Sequence, residues 1–255
     1  MLALQAWEAP RLMIKSQEPS VSRTPLTEQV YLELKRRILD GIIPAGTRLT
    51  EKECATDFGV SPTPVREAFN KLRVDGLVRY GPWQGTVVTK LTDQDLHHLF
   101  SVRQALECLA VREAGPLLEH EDLLWLESNL EQFRRDIAQT PRETKASHEA
   151  NEAFHDFFWE KCGNPWLSGV LRELRDLLVL ARASLTAHSD GKASYVEHKR
   201  IVDRLRAQDW SGASDEMGSH IRRVRLAALQ DAAPTMADRV AASERSFLPE
   251  GDSNA

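Results

Sequence analysis

The twelve residues Phe58–Phe69, FGVSPTPVREAF, indicate the end of one helix, a tight turn and the start of a second helix. Gly59 can end the first helix, and Ser61 can cap the second with its side-chain oxygen. Pro62 suits the first helical position, because the N–H that proline lacks has no helical partner there. The stretch therefore predicts two short helices joined by a turn.

The second of these helices has an apolar face and a polar face. Val65, Phe69 and Leu72 recur at i, i+4 and i+7, which is the spacing of a helix that packs against a core. Guanidinium and amide groups pair with guanine and adenine edges in the major groove of DNA. Arg66, Asn70 and Arg73 recur at the same spacing and make the polar face of the helix. A helix-turn-helix pattern that reads DNA is therefore indicated.

The flanking residues extend this pattern to a winged helix-turn-helix domain over residues 24–90. Upstream, Leu26–Asp40 predicts an amphipathic helix, and a second short helix is expected from about Glu51. Downstream, Leu77–Val88 predicts a hairpin whose turn runs from Gly81 to Gly85. Three helices and a small two-stranded wing are expected.

These residues resemble the GntR family of bacterial transcription regulators, and the similarity runs unbroken from Pro25 to Val88. It is carried by PLTEQVYLELKRRILDGIIPAGTRLTEKECATDFGVSPTPVREAFNKLRVDGLV and by Gly85 of the wing. The family usually has an arginine, often in contact with DNA, where this chain has Pro62, so base reading is expected to depend more on Arg66 and Thr63. The predicted DNA contacts are Arg48, Lys52, Ser61, Thr63, Arg66, Asn70, Arg73 and Gly85.

The charge of the chain supports DNA binding only when it is divided by region. The net charge of the 255 residues is −5. Residues 24–90 hold 10 basic and 8 acidic side chains, whereas residues 91–232 hold 18 and 24. Affinity for DNA is therefore expected from a local basic patch, made by Lys35, Arg48, Lys52, Arg66, Lys71 and Arg73.

Composition and cysteine usage indicate a cytoplasmic chain. No apolar run approaches the roughly 20 residues that cross a bilayer, and the N-terminus lacks the basic region of a signal peptide. No membrane partner is expected. Cys54, Cys108 and Cys162 are scattered and have neither CxxC nor zinc-ribbon spacing, which predicts reduced thiols.

Residues 91–232 predict a second, all-α domain. Six amphipathic segments are separated by glycine, proline and short polar breakers, and the first follows an N-cap pattern at Thr92 and Asp95. Residues 1–23 and 233–255 show no periodicity and are expected to be disordered tails. The predicted fold class is mainly α, a winged helix-turn-helix followed by an antiparallel bundle of about six helices, at 93–114, 120–138, 144–162, 165–188, 192–207 and 210–231.

Five polar residues fall on the apolar faces of these helices: Arg103, Asn151, His155, His198 and His220. Buried polar groups need partners. A divalent metal held by the imidazoles, with Arg103 binding an anionic ligand, would provide them all. The alternative is that each histidine is an isolated core residue with a backbone partner. Glu107, four residues after Arg103, could be its ion-pair partner.

This region resembles the FadR C-terminal ligand-binding domain, known as FCD. The similarity is carried by LTDQDLHHLFSVRQALECLAV, NEAFHDFFWEKCGNPWL and YVEHKRIVDRLRAQDWSGASDEMGSHI. The metal ligands of that family fall on Asn151, His155, His198 and His220, although many members carry Asp at the first position and an amide is a weaker ligand. The resemblance implies a zinc or nickel ion, and Arg103 and Asn151 are expected to contact the effector.

The function expected is a ligand-responsive repressor, not an enzyme, that binds a palindromic double-stranded DNA operator as a homodimer. A small carboxylic acid bound at the metal would change its DNA affinity. Two alternatives remain open at this point. The metal itself could be the signal, or three histidines around zinc could activate water in a hydrolase. No HExxH-type base accompanies the histidines, which disfavours the hydrolase.

Overall fold

The computed structural model describes residues 25–81, 85–139, 145–183 and 190–232. The two predicted tails, the wing tip at 82–84 and the predicted helical residues 184–188 lie outside these ranges. The predicted fold class is confirmed, because the described chain is mainly helical with one small sheet. The N-terminal elements are α1 Leu26–Leu39, β1 Arg48–Leu49, α2 Glu51–Phe58, α3 Pro62–Val74, β2 Val78–Gly81 and β3 Gly85–Val88.

The predicted apolar stripes form the core of the N-terminal part. Val30, Leu34 and Ile38 of α1 are almost fully buried and lie in one cluster with the stripe of α3. Leu26, at the start of the α1 stripe, is half exposed. Gly59 ends α2 in the left-handed conformation (φ +65°), which only glycine adopts without strain, and this sets the turn into α3.

The sheet has three antiparallel strands in the order β1–β3–β2, whereas the sequence predicted two. Arg48 pairs with Val87 and Leu49 with Thr86. A strand of two residues is too short to show the alternation by which strands are recognised, so β1 was missed. Its pairing with β3 joins the segment before α2 to the wing.

Ser61 occupies the N-cap of α3, but its side chain makes no capping hydrogen bond, so the predicted cap is wrong in this detail. An N-cap oxygen normally accepts from the N–H of the second or third helical residue. Here the third residue is Pro64, which has no N–H. The hydroxyl of Ser61 is therefore exposed at the start of α3, next to Thr63.

The six predicted helices of the second part are present in the described ranges, with a 3₁₀ turn after the first. The predicted N-cap of the first is a complete capping box, in which Thr92 Oγ1 accepts from Asp95 N at 3.1 Å and Asp95 Oδ2 accepts from Thr92 N at 3.0 Å. No helix of the described chain has the length and apolar composition to cross a membrane. The helices are α4 Asp93–Ala114, α5 His120–Gln139, α6 Lys145–Lys161, α7 Pro165–Ala183, α8 Gly191–Arg206 and α9 Trp210–Ala232.

Helix α7 contacts both parts of the chain. Its residue Leu180 is 4% exposed and belongs to the core cluster of the N-terminal part. Asp176 forms an ion pair with Lys35 of α1, and Leu177 lies against Gly76, in the turn after α3. The other α7 residues in the core of the second part include Leu171 and Leu178.

Candidate functional site

Three imidazoles from three helices meet in the interior of the second part. His155 of α6, His198 of α8 and His220 of α9 are each at most 2% exposed. One ring nitrogen from each lies within 4.8 Å of the others, and Nε2 of His198 is 3.3 Å from Nε2 of His220. Phe154 stacks on the His198 ring at 4.0 Å between centroids, so the cluster has an apolar wall.

Glu107 of α4 orients the first of these rings. Its Oε2 lies 2.5 Å from Nδ1 of His155, and its Oε1 accepts from Nε of Arg103 at 2.6 Å. The carboxylate is 1% exposed and lies between an imidazole and a guanidinium. Because the carboxylate accepts the Nδ1 proton of His155, the lone pair of that ring is on Nε2.

Glu197 of α8 does the same for His220. Its Oε2 accepts from Nδ1 of His220 at 2.8 Å, and its Oε1 accepts from Nε of Arg223 at 2.6 Å. Histidines that bind metals commonly donate their second N–H to a carboxylate, which sets the tautomer and the ring orientation. The sequence suggested Glu107 only as a partner of Arg103 and did not identify Glu197.

The protonation states suit metal binding. Burial lowers the pKa of His155 to about 4, and burial also lowers the pKa of His198 and His220. Burial alone would raise the pKa of Glu107, but Arg103 and His155 outweigh it and hold the pKa at about 2. At neutral pH the cluster therefore has neutral imidazoles and an ionised carboxylate behind His155, as a metal site requires.

One unsatisfied atom in the cluster is of the kind that a metal ion would satisfy. Nε2 of His155 is buried and has no hydrogen-bond partner in the described chain. Three neutral nitrogen donors at this separation suit zinc or nickel. Asn151 is half-buried one helical turn before His155, and its role as a fourth ligand stays a prediction.

A small pocket, open to solvent at one side, lies beside His155. Arg103 lines it, and the two terminal nitrogens of this guanidinium make no hydrogen bond to a described residue. Trp159 also lines the pocket, and its buried indole N–H has no hydrogen-bond partner among the described residues. The pocket thus has hydrogen-bond donors next to the histidine cluster, and its walls are Arg103, Glu152, His155, Asp156, Trp159, Arg175, Leu178 and Val179.

The predicted DNA contacts lie on the surface of the N-terminal part. Arg66, Asn70 and Arg73 are exposed along α3, opposite its buried stripe. Of the predicted basic patch, Lys35 is paired with Asp176 and Lys71 with Glu28, so these two cations are partly neutralised. The other patch residues that are exposed are Arg48, Lys52, Arg66 and Arg73.

A groove between α3 and the sheet adds residues that the sequence did not identify. Asn70 and Arg73 form one side, and Arg79 and Tyr80 of β2 form the other. Tyr80 is 75% exposed, and among the described residues Arg79 pairs only with Asp95, at 3.5 Å. A tyrosine hydroxyl and an arginine at the edge of a recognition helix suit a DNA phosphate. Gly85, at the wing, has φ +72°.

Known protein families match both parts of the chain. The family described as "Bacterial regulatory proteins, gntR family" matches residues 20–88, and the FCD domain matches residues 98–223. The HTH-type transcriptional regulator YdhC of Bacillus subtilis is 31% identical over 199 residues, covering 77% of this chain and 88% of YdhC. The transcriptional repressor RspR of Escherichia coli is 30% identical over 203 residues, covering 78% and 87%.

A solved structure shares the fold. It is a transcriptional regulator from Rhodococcus sp. RHA1, with a TM-score of 0.68 at 23% identity, and the match covers 81% of this chain and 99% of that one. The relatives at 30% identity or more span most of both chains, and the two matched regions account for the winged helix-turn-helix and for the helical bundle. The chain therefore belongs to the GntR family of bacterial transcription regulators and carries an FCD domain after its DNA-binding domain.

Proposed function

We propose that this regulator is a repressor whose affinity for a palindromic operator is changed by a small carboxylic acid. The acid binds next to a divalent metal ion, zinc or nickel, held by His155, His198 and His220, with Asn151 nearby. Two copies of the chain bind one operator, because each α3 can read one half-site of a palindrome. The relative RspR is a transcriptional repressor, which supports repression as the sign of the regulation.

The observation that carries the proposal is the pair of carboxylates behind the histidines. Glu107 and Glu197 accept the Nδ1 protons of His155 and His220, while Nε2 of His155 has no partner in the part of the chain that the structure describes. Isolated core histidines would need no such convergence. When bound, a metal supplies a positive centre that an anion can coordinate.

The pocket beside the cluster supports an acid as the effector. The terminal nitrogens of Arg103 and the indole N–H of Trp159 are donors that make no hydrogen bond to any residue the structure describes. A carboxylate satisfies such donors and balances the metal charge, whereas a neutral ligand would leave buried charge uncompensated. The pocket is small, so we expect a small acid such as a hydroxy, keto or sugar acid.

Helix α7 provides the connection from the pocket to the DNA-binding domain. Arg175, Leu178 and Val179 line the pocket, while Asp176 and Leu180 contact the N-terminal part. The peptide Thr89–Lys90–Leu91 gives a second connection, from β3 to α4. A ligand that moves α7 or α4 therefore also displaces the helices that present α3.

The proposal is tested by metal analysis of full-length protein purified without chelator, followed by thermal unfolding with a panel of small carboxylic acids. We expect close to one metal ion per chain and stabilisation by at least one acid only when metal is present. Protein without metal, and with no thermal shift on adding zinc or nickel, would contradict the proposal. A shift with neutral sugars but with no acid would contradict the choice of ligand.

A further inference from the structure

The base-reading arginine of α3 is held by a carboxylate from the preceding helix. Nε of Arg66 donates to Glu51 Oε1 at 3.0 Å and to Oε2 at 3.1 Å, and Nη2 donates to Oε2 at 2.8 Å. The carboxylate therefore covers the side edge of the guanidinium. An arginine side chain has five N–H donors, so the two terminal nitrogens still present the end edge for a second bidentate partner.

The backbone that carries Glu51 is fixed. Glu51 is the first residue of α2, and Thr50 is the N-cap. Thr50 Oγ1 accepts from Glu53 N at 3.2 Å and donates to Glu53 Oε2 at 2.6 Å. The backbone of Glu51 thus belongs to a capped helix end that packs against α3.

The position of Glu51 on a surface that binds DNA requires an explanation, because a carboxylate repels phosphates. Arg66 is 65% exposed and Glu51 is 36% exposed, and an exposed ion pair of this kind adds little to folding stability. In contact with bases, however, both groups lose water and the interaction between them strengthens. The ion pair then helps binding by orienting the guanidinium in advance. Without it, the Arg66 side chain would lose its rotamer freedom only on binding DNA, at a cost in affinity.

We infer that Glu51 is a positioning residue for DNA recognition: it holds Arg66 by the side edge and presents the end edge of the guanidinium to the O6 and N7 atoms of a guanine. This inference rests on the proposed reading of operator bases by α3. The carboxylate of Glu51 then has two opposite effects on DNA binding. Glu51 lowers general affinity for DNA through its charge and raises discrimination for guanine through Arg66.

The test is in vitro selection of an operator by the full-length protein, followed by binding to that operator and to a variant in which the selected guanine is replaced by adenine. Glu51→Gln should reduce the ratio of the two affinities by about tenfold, because the oriented bidentate contact is weakened. Affinity for unrelated DNA should stay equal or rise, since a negative charge is removed.

Glu53→Gln is the matched control. It removes the same charge two residues away, while glutamine is accepted at this position of a capping box. It should leave the discrimination ratio unchanged. In an Arg66→Ala background, Glu51→Gln should have no effect on the ratio, because the residue that it positions is gone.

The outcomes separate this inference from the proposed function. Failure of the wild-type protein to select any sequence would contradict DNA reading itself. If the wild type selects a sequence and Glu51→Gln discriminates guanine from adenine as well as Glu53→Gln does, the role of Glu51 is overturned and the proposed function stands. Tighter operator binding by Glu51→Gln with unchanged discrimination would also overturn it, because the carboxylate would then only restrain Arg66.

Discussion

Asp176 of α7 forms an ion pair with Lys35 of α1, and this pair connects the helix that lines the pocket with the DNA-binding domain. One residue further along α7, Leu177 lies so close to Gly76 that a Cβ at Gly76 would be 3.2 Å from Leu177 Cδ2. Gly76 directly follows the C-cap of α3. A displacement of α7 would therefore also move the residues at the end of α3.

Replacing Asp176 by alanine should weaken the coupling between effector and operator. We expect the coupling free energy, about 1–3 kcal/mol for a regulator of this kind, to fall by roughly half while metal content is retained. The measurement is the operator Kd with and without effector. Glu173→Ala, an exposed carboxylate on the same helix, is the control and should keep full coupling. Full coupling in Asp176→Ala would exclude this route.

His198→Ala should abolish metal binding and the effector response, with the operator affinity of the metal-free protein unchanged. The loss of a direct ligand should exceed the roughly 10–100-fold loss of metal affinity that removal of a supporting carboxylate causes. His198 is fully buried against Phe154, so His198→Gln, which keeps most of the volume, is measured as well. His98→Gln, at an exposed histidine, should keep the metal. Equal metal content in all four proteins would remove His198 from the ligand set.

Arg103→Lys should raise the effector concentration needed in an operator titration about tenfold, because lysine keeps the charge beside Glu107 but cannot form the planar two-point contact. Arg103→Ala is a less selective change. It leaves the carboxylate of Glu107 buried without its guanidinium, which costs about 3–5 kcal/mol of folding stability. Unchanged effector response in Arg103→Lys would place the acid elsewhere.

Arg66→Ala should abolish selection of the operator while the fold stays intact, because the side chain lies on the exposed face of α3. We expect a loss of about tenfold or more in specific affinity per half-site and little change in binding to unrelated DNA. The check is a footprint at constant salt. A footprint identical to that of the wild type would remove Arg66 from the base-reading residues.

Gly85→Glu should weaken binding to all DNA sequences by a similar factor. Gly85 has φ +72° and no neighbour within 4 Å of an added Cβ, so a side chain has room but the backbone is strained. The added charge should reduce the slope of log K against log salt by about 1 if one phosphate contact is lost. Gly85→Asn tolerates the positive φ without charge and is the control. Loss of one operator variant only would contradict a backbone contact at the wing.

Local patterns in the sequence predicted the helices well. The spacing of Val65, Phe69 and Leu72 identified the buried face of α3, and the neighbours of His155, His198 and His220 placed all three imidazoles in the interior. Periodicity reports which side of a helix is buried, and the apolar neighbours of these histidines are close in sequence.

Contacts between distant segments were not predictable in the same way. Glu197 lies 23 residues from His220, and Glu51 lies 15 residues from Arg66, so no spacing rule connects them. The contact of α7 with α1 depends on how two domains pack, which periodicity does not encode. Strand β1 has two residues and gives no periodic signal.

The most direct test of the account is the operator Kd of the full-length protein in four states: metal-free, with zinc or nickel, with a carboxylic acid that binds, and with both. We predict that metal alone leaves the Kd nearly unchanged and that the acid changes it only in the presence of metal. An equal change with metal alone would make the metal the signal. A change produced by the acid without metal would contradict the proposed site at His155, His198 and His220.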